Sequence, residues 1–200
     1  MGIMNTTPFA VIMREDAKVK SIKDLEGKTI AATAGEAGLT IMPALFKANK
    51  LDESKVNFLR VDGATKLVAA LEGRSQGLLG GSENQPFLLE QKGLKTTVLN
   101  YADYGVNTMG LAILVNQDTL KDKSKLVEGF IRATQKAFAA AEADPAASIA
   151  AGLKANPNMD KDLALKQLQA GLKLTRSRSA PSAPFGQMQD GDWSMTVQLM

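Results

Sequence analysis

Between Lys28 and Leu99 the sequence repeats one pattern, a short apolar run followed by a polar or glycine-bearing loop and then a stretch of helical periodicity. Lys28–Thr33, Val56–Val61, Gln76–Gly80 and Lys95–Leu99 read as strands. After the first, Leu39, Met42, Leu45 and Phe46 fall at helical spacing, and after the second Ala64, Leu67, Val68 and Leu71 sit at i, i+3, i+4 and i+7. Asp62-Gly63 supplies a cap for that second helix and Gly73 a stop. Pro86 opens a third helix that Gly93 ends. Helical crossovers between successive strands demand a mostly parallel sheet covered on both faces. The fold class is therefore α/β.

Sheets of this kind bind ligands at the carboxyl ends of their strands. Three loops fall there: 34–38 (AGEAG), 81–85 (GSENQ) and 100–108 (NYADYGVNT). The first precedes a helix whose opening N–H groups lack intrahelical partners and carry the positive end of the helix dipole. That arrangement favours anionic or acceptor-rich ligands. Thr40 adds a hydroxyl at the helix entrance. Pro43 fits if the helix starts at about 38–40, where the first-turn N–H groups are unpaired anyway.

On either side of this unit, Phe9–Met13 and Leu111–Val115 (LAILV) read as further strands, the second with a buried character. From Leu126 onward the chain reads as helical. Leu126, Val127, Phe130, Ile131, Thr134 and Phe138 form one apolar face, and Asp144-Pro145 and Asn156-Pro157 break the run into separate helices. A further helix runs from Gly191 to the end.

Composition removes several classes of function. The chain has no cysteine and no histidine, so Cys/His zinc sites, Ser-His-Asp or Cys-His nucleophiles and imidazole bases are excluded. Glu36 and Asp103 have no spacing that supports a carboxylate-only mechanism. The expectation is a protein with no catalytic residues, no metal and no cofactor. Lys and Arg are mixed among Asp and Glu for a net charge of +3, with 5% aromatic residues, which does not suit a nucleic-acid surface. No run approaches the length of a membrane span, and no signal peptide is visible.

The segments PFAVIMREDAKVKSIKDLEGKTIAATAGEAGLTIMPALFKANKLDESKV, LVAALEGRSQGLLGGSENQPFLLEQKG and LNYADYGVNTMGLAILVNQDTL, in that order, resemble substrate-binding proteins of ABC importers. The branch they resemble holds the aliphatic-sulfonate and thiamine-pyrimidine-precursor binding proteins. The markers are the DLEGK lead-in, the GEAG loop, the YADYGVN segment and the return strand LAILVN. The resemblance implies a type II periplasmic-binding-protein-like architecture of two α/β lobes closing on a ligand. Residues 14–110 would form one complete parallel-sheet lobe. Residues 1–13 and 111–200 would supply hinge strands and a partial, largely helical second lobe.

The resemblance further implies a solute-binding component that holds a small polar ligand, such as a sulfonate, a pyrimidine or another aromatic or anionic compound. It would deliver that solute to the membrane permease subunits, working in the periplasm or lipid-anchored at the cell surface. Ligand contacts carried over are Gly35, Glu36, Ala37, Gly38 and Thr40, then Asn84 and Gln85, then Tyr101, Tyr104 and Asn107. The sequence departs from the pattern at Ser75-Gln76-Gly77, where members carry an Asp-containing strand start, and it lacks the segment that precedes the first hinge strand in members. A partial second lobe would expose apolar helix surface and favour a homodimer. The alternative reading is a ligand-sensing or protein-interaction domain of the same fold. The yeast-type thiamine-pyrimidine synthases, which use a histidine and a cysteine-rich segment, are the enzymes of similar fold, and this chain has neither.

Overall fold

The computed structural model describes residues 1–200, and the chain divides into two compact units. One comprises Thr7–Thr108 with Ser194–Met200, the other Met1–Thr6 with Met109–Trp193.

The first unit is built on a five-stranded sheet. Its strands are β1 (Phe9–Arg14), β2 (Thr29–Ala32), β3 (Asn57–Arg60), β4 (Gly77–Gly81) and β5 (Thr96–Asn100), in spatial order β3-β2-β4-β1-β5. β2 pairs in parallel with β3 and with β4, as the helical crossovers require. β1 runs antiparallel to both its neighbours, with Val11 opposite Leu79 on one side and Leu99 on the other. The sheet is thus parallel except for β1, which inserts between β4 and β5. Residues 9–13, expected to cross between lobes, form a strand inside this sheet, and four successive residues of it are buried.

Helices α1 (Ala37–Asn49), α2 (Gly63–Leu71) and α3 (Gln85–Gln91) connect the strands. Strand alternation separates two cores. On one face Val11, Met13, Ile30, Ala32 and Leu79 pack against Ile41, Met42, Leu45 and Phe46 of α1. On the other, Ala10, Ile12, Ala31 and Leu78 pack against Ala69 and Ala70 of α2 and Leu89 of α3. The Asp62 carboxylate accepts from the Ala64 and Thr65 amides and so caps α2 as the sequence suggests. α1 starts at Ala37, which places Pro43 in its second turn and not in the first. Pro43 is exposed and has no N–H to give the Leu39 carbonyl, so the helix passes through it with one bond fewer.

The second unit is mainly helical. It contains α4 (Gln117–Asp122), α5 (Ser124–Ala143), α6 (Pro145–Ala155) and α7 (Lys161–Leu172), with the start of α8 (Asp190–Leu199). Asp144 breaks α5 and caps α6 by accepting from the Ala147 amide, with Pro145 in the first position of that helix. Phe138 and Phe185 stack with centroids 3.9 Å apart, and Arg176 holds Glu142 with two bonds from Nη2 of 2.9 and 2.7 Å. The Asn5 side-chain amide donates to the Thr175 and Gln187 carbonyls and ties the N-terminal segment into this unit.

The sequence expectation fails at Leu111–Val115. In place of a buried strand there is a single bridge from Ala112 to Gly2, and Leu111 and Leu114 are 57% and 82% exposed. A strand needs a regular ladder, and this segment has an irregular set of bonds to the first four residues instead: the Ile3 and Met4 amides donate to the Leu111 carbonyl, the Ile113 amide to the Met1 carbonyl and the N-terminal ammonium to the Ile113 carbonyl. Ile113, Leu114 and Val115 instead form, with Leu126, Val127, Phe130, Ile131 and Met1, an open apolar groove of about 360 Å³.

Candidate ligand-binding site

β2 and β4 are neighbours, yet they feed helices on opposite faces: β2 leads to α1 and β4 to α3. The two connections diverge at the carboxyl ends of these strands and leave a crevice, the topological switch point of the sheet. Because β1 is antiparallel, its first residues arrive at the same edge. A cavity of about 230 Å³ lies there. Its lining comes from Pro8, Phe9 and Ala10, from Glu36, Ala37 and Gly38, from Lys66 on α2, and from Leu79, Gly80, Gly81, Glu83 and Gln85.

Glu36 precedes α1 in extended conformation and folds its side chain back. Its Oε1 accepts the Thr33 amide at 2.8 Å, and its Oε2 receives the Lys66 ammonium in a short ion pair. Both partners are shielded, with side-chain exposures of 7% for Lys66 and 20% for Glu36. The Glu36 carbonyl accepts the Leu39 and Thr40 amides. That leaves the Ala37 and Gly38 amides as the open donors of the helix start, both in the cavity lining.

The β4–α3 connection folds back in the same way. Gln85 Oε1 accepts the Gly81 amide at 2.7 Å, and the Ser82 amide donates to the Pro8 carbonyl. The two glycines make this possible. A Cβ on Gly80 would meet Gln85 Oε1 at 2.7 Å, and one on Gly81 would meet the Glu83 carboxylate at 2.5 Å. Glu83 therefore lies over the end of β4, with its Oε2 enclosed and without a hydrogen-bond partner. Burial pushes its carboxyl above the usual carboxylate range.

Of the residues expected from sequence, Glu36, Ala37, Gly38 and Gln85 line this cavity and Gly35 adjoins it, exposed at a φ of +77°. The others have different surroundings. The Thr40 hydroxyl turns back to the Glu36 carbonyl at 3.3 Å. Asn84 precedes α3 without a side-chain cap. Tyr101 is wholly buried, edge-on to Phe9, and its hydroxyl donates to the Gly38 carbonyl at 3.0 Å. Burial, then the nearby Glu36 charge, raises its phenol. Tyr101 thus supports the start of α1 from beneath and does not line the cavity. Tyr104 packs on the same core, and Asn107 Oδ1 accepts the Thr7 amide at 3.1 Å. Two charged lining residues escaped the sequence reading, Lys66 and Glu83. Lys66 lies on a helix read for its apolar face. Glu83 stands beside two expected contacts, and the paired glycines before it were the available signal.

The family model described as NMT1/THI5 like matches residues 1–148. The chain belongs to the NMT1/THI5-like family. No curated protein sequence matches it. Among solved structures, the periplasmic aliphatic sulphonate binding protein SsuA of Escherichia coli is similar over 100% of this chain and 60% of its own, at 13% identity and a TM-score of 0.75. The alkanesulfonate-binding SsuA of Xanthomonas axonopodis pv. citri, bound to MOPS, matches over 84% of this chain and 56% of its own, at 16% identity and a TM-score of 0.58. The ligand-binding component of an ABC-type import system from Staphylococcus aureus matches over 98% of this chain and 72% of its own, at 12% identity and a TM-score of 0.57. At such identities these likenesses establish the fold, the type II binding-protein architecture. The chain spans about 60% of the length of the Escherichia coli protein. No helix is long and apolar enough to cross a membrane.

Proposed function

We propose that this family member is the solute-binding component of an ABC importer, working outside the cytoplasmic membrane with a permease as its partner. The observation that carries the reading is the cavity at the switch point, walled by a helix start with two open amides and by a folded-back polar loop. Small-molecule sites prefer that position. The solute is small and polar, of the sulfonate, pyrimidine or other aromatic or anionic kinds, with its contacts centred on Glu36, Ala37, Gly38 and Gln85. Closure over the bound solute would be the signal read by the permease. A binding role also fits the chemistry of the lining, since the Glu36 carboxylate is engaged by Lys66 and the Thr33 amide and is poorly placed to move protons.

Native mass spectrometry of the chain after incubation with a metabolite extract tests this reading. The expected result is one small molecule retained per chain and released on denaturation, accompanied by a rise in melting temperature when that compound is added back. A chain that retains nothing, and whose melting temperature no member of a solute panel raises, would overturn it.

A further inference from the structure

The cavity lining holds three ionisable side chains, and their bonding states differ. Glu36 has both oxygens engaged, and its charge is balanced by Lys66. The Lys66 ammonium is committed to that pair. Glu83 is the remaining one, with an enclosed Oε2 that meets no donor. An ionised carboxylate is acceptor-only, and buried acceptors in folded proteins are normally satisfied. The loop is shaped to hold this group in place, because only the missing Cβ of Gly81 lets the carboxylate lie against the end of β4.

We propose that Glu83 is the specificity-determining residue of this site, and that it receives a positively charged or N–H-rich end of the solute, such as an ammonium, amidinium or guanidinium group. This inference rests on the solute-binding reading and narrows its ligand class. A group of that kind meets the Glu83 carboxylate where it lines the cavity and supplies the charge that Lys66 cannot give. Burial raises the Glu83 carboxyl, and a cation beside it would reverse that direction, so the ligand relieves an unfavourable state of the empty site. A sulfonate at the same place would face an uncompensated carboxylate. The Ala37 and Gly38 amides serve an acceptor elsewhere on the solute, which gives the ligand a donor end and an acceptor end.

The test is calorimetric titration of the whole chain with four probes of similar size: benzamidinium, benzylammonium, benzoate and benzenesulfonate. It is run on the parent protein, on Glu83→Gln and on Glu72→Gln, a control at an exposed residue paired with Arg74 away from the cavity. The cationic probes should bind the parent more tightly than the anionic ones. Glu83→Gln should weaken the cations by about tenfold or more, with cooperative melting retained, while Glu72→Gln changes nothing. An anionic preference in the parent, or cation affinity unchanged in Glu83→Gln, sinks the assignment of Glu83 and leaves solute binding standing. Failure of all four probes, together with an empty chain in native mass spectrometry, removes the solute-binding reading and this inference with it.

Discussion

Lys66 and Glu83 show how two charges lining one cavity can be spent differently. The Lys66 ammonium is enclosed and neutralises Glu36, so the pair fixes the loop before α1 more than it offers charge to a ligand. Glu83 has no such partner, and its elevated carboxyl makes it a cost to the folded state at neutral pH. The sign follows from linkage. A carboxyl raised in the folded state binds its proton more tightly there than in the unfolded chain, so its stabilising contribution is complete below the ordinary glutamate value. That contribution is lost as pH rises through the raised value. The charges lining the same cavity, Glu36 and Lys66, are present in parent and variant alike. Chemical denaturation of the unliganded protein at pH 4 and pH 7 should therefore show Glu83→Gln more stable than the parent at pH 7. The difference should shrink toward pH 4. Equal stability at both values would mean that Glu83 is well solvated in the empty protein.

At the scale of elements, α1 connects sequence, fold and site. Its start presents the open amides, its buried face supplies one of the two cores of the sheet unit, and Tyr101 holds its first turn from below. Pro43 is the local conflict in this helix. Replacing it in Pro43→Ala would return an N–H to the Leu39 carbonyl at an exposed position, so denaturant unfolding should show a gain of about 1–2 kcal/mol. The gain is less than the full proline penalty because proline also restricts the unfolded chain. A loss would mean that the missing bond is used by the native helix. The same element shows what was legible in the sequence. Strand–loop–helix alternation placed α1, α2 and α3 and the loops at the carboxyl edge, because each depends on local periodicity and local punctuation. The antiparallel insertion of β1 was not legible, since register against β4 and β5 is decided by contacts distant in sequence. The place of Tyr101, carried over as a ligand contact from the resemblance, was not legible for a related reason: its hydroxyl finds the Gly38 carbonyl 63 residues away in sequence. Lys66 was hidden because its partner lies on another connection.

For the molecule as a whole, the two units differ in how much apolar surface they bury. The sheet unit encloses its large aliphatic residues between strands and helices on both faces. The helical unit buries few hydrophobic residues and leaves Leu114, Leu126 and Phe130 in the wall of an open groove. The periodicity of α5 was readable in the sequence, but whether its apolar face would be covered was not, because coverage depends on what packs against it. The failed strand at Leu111–Val115 is the same fact seen from the other side of the groove: an apolar segment bonded irregularly to residues 1–4 remains as exposed lining. Exposed apolar surface of this continuity binds hydrophobic dyes. Anilinonaphthalene sulfonate fluorescence should therefore rise with the native protein, and Leu126→Lys should reduce it at least about twofold by placing a charge in the groove. Because Leu126 is 65% exposed, the same variant should unfold within about 0.5 kcal/mol of the parent. Dye binding unaltered by Leu126→Lys would locate the apolar surface elsewhere. A large loss of stability would show that the leucine is covered in solution, and self-association, measured by sedimentation across a concentration series, would then be the form of cover to seek.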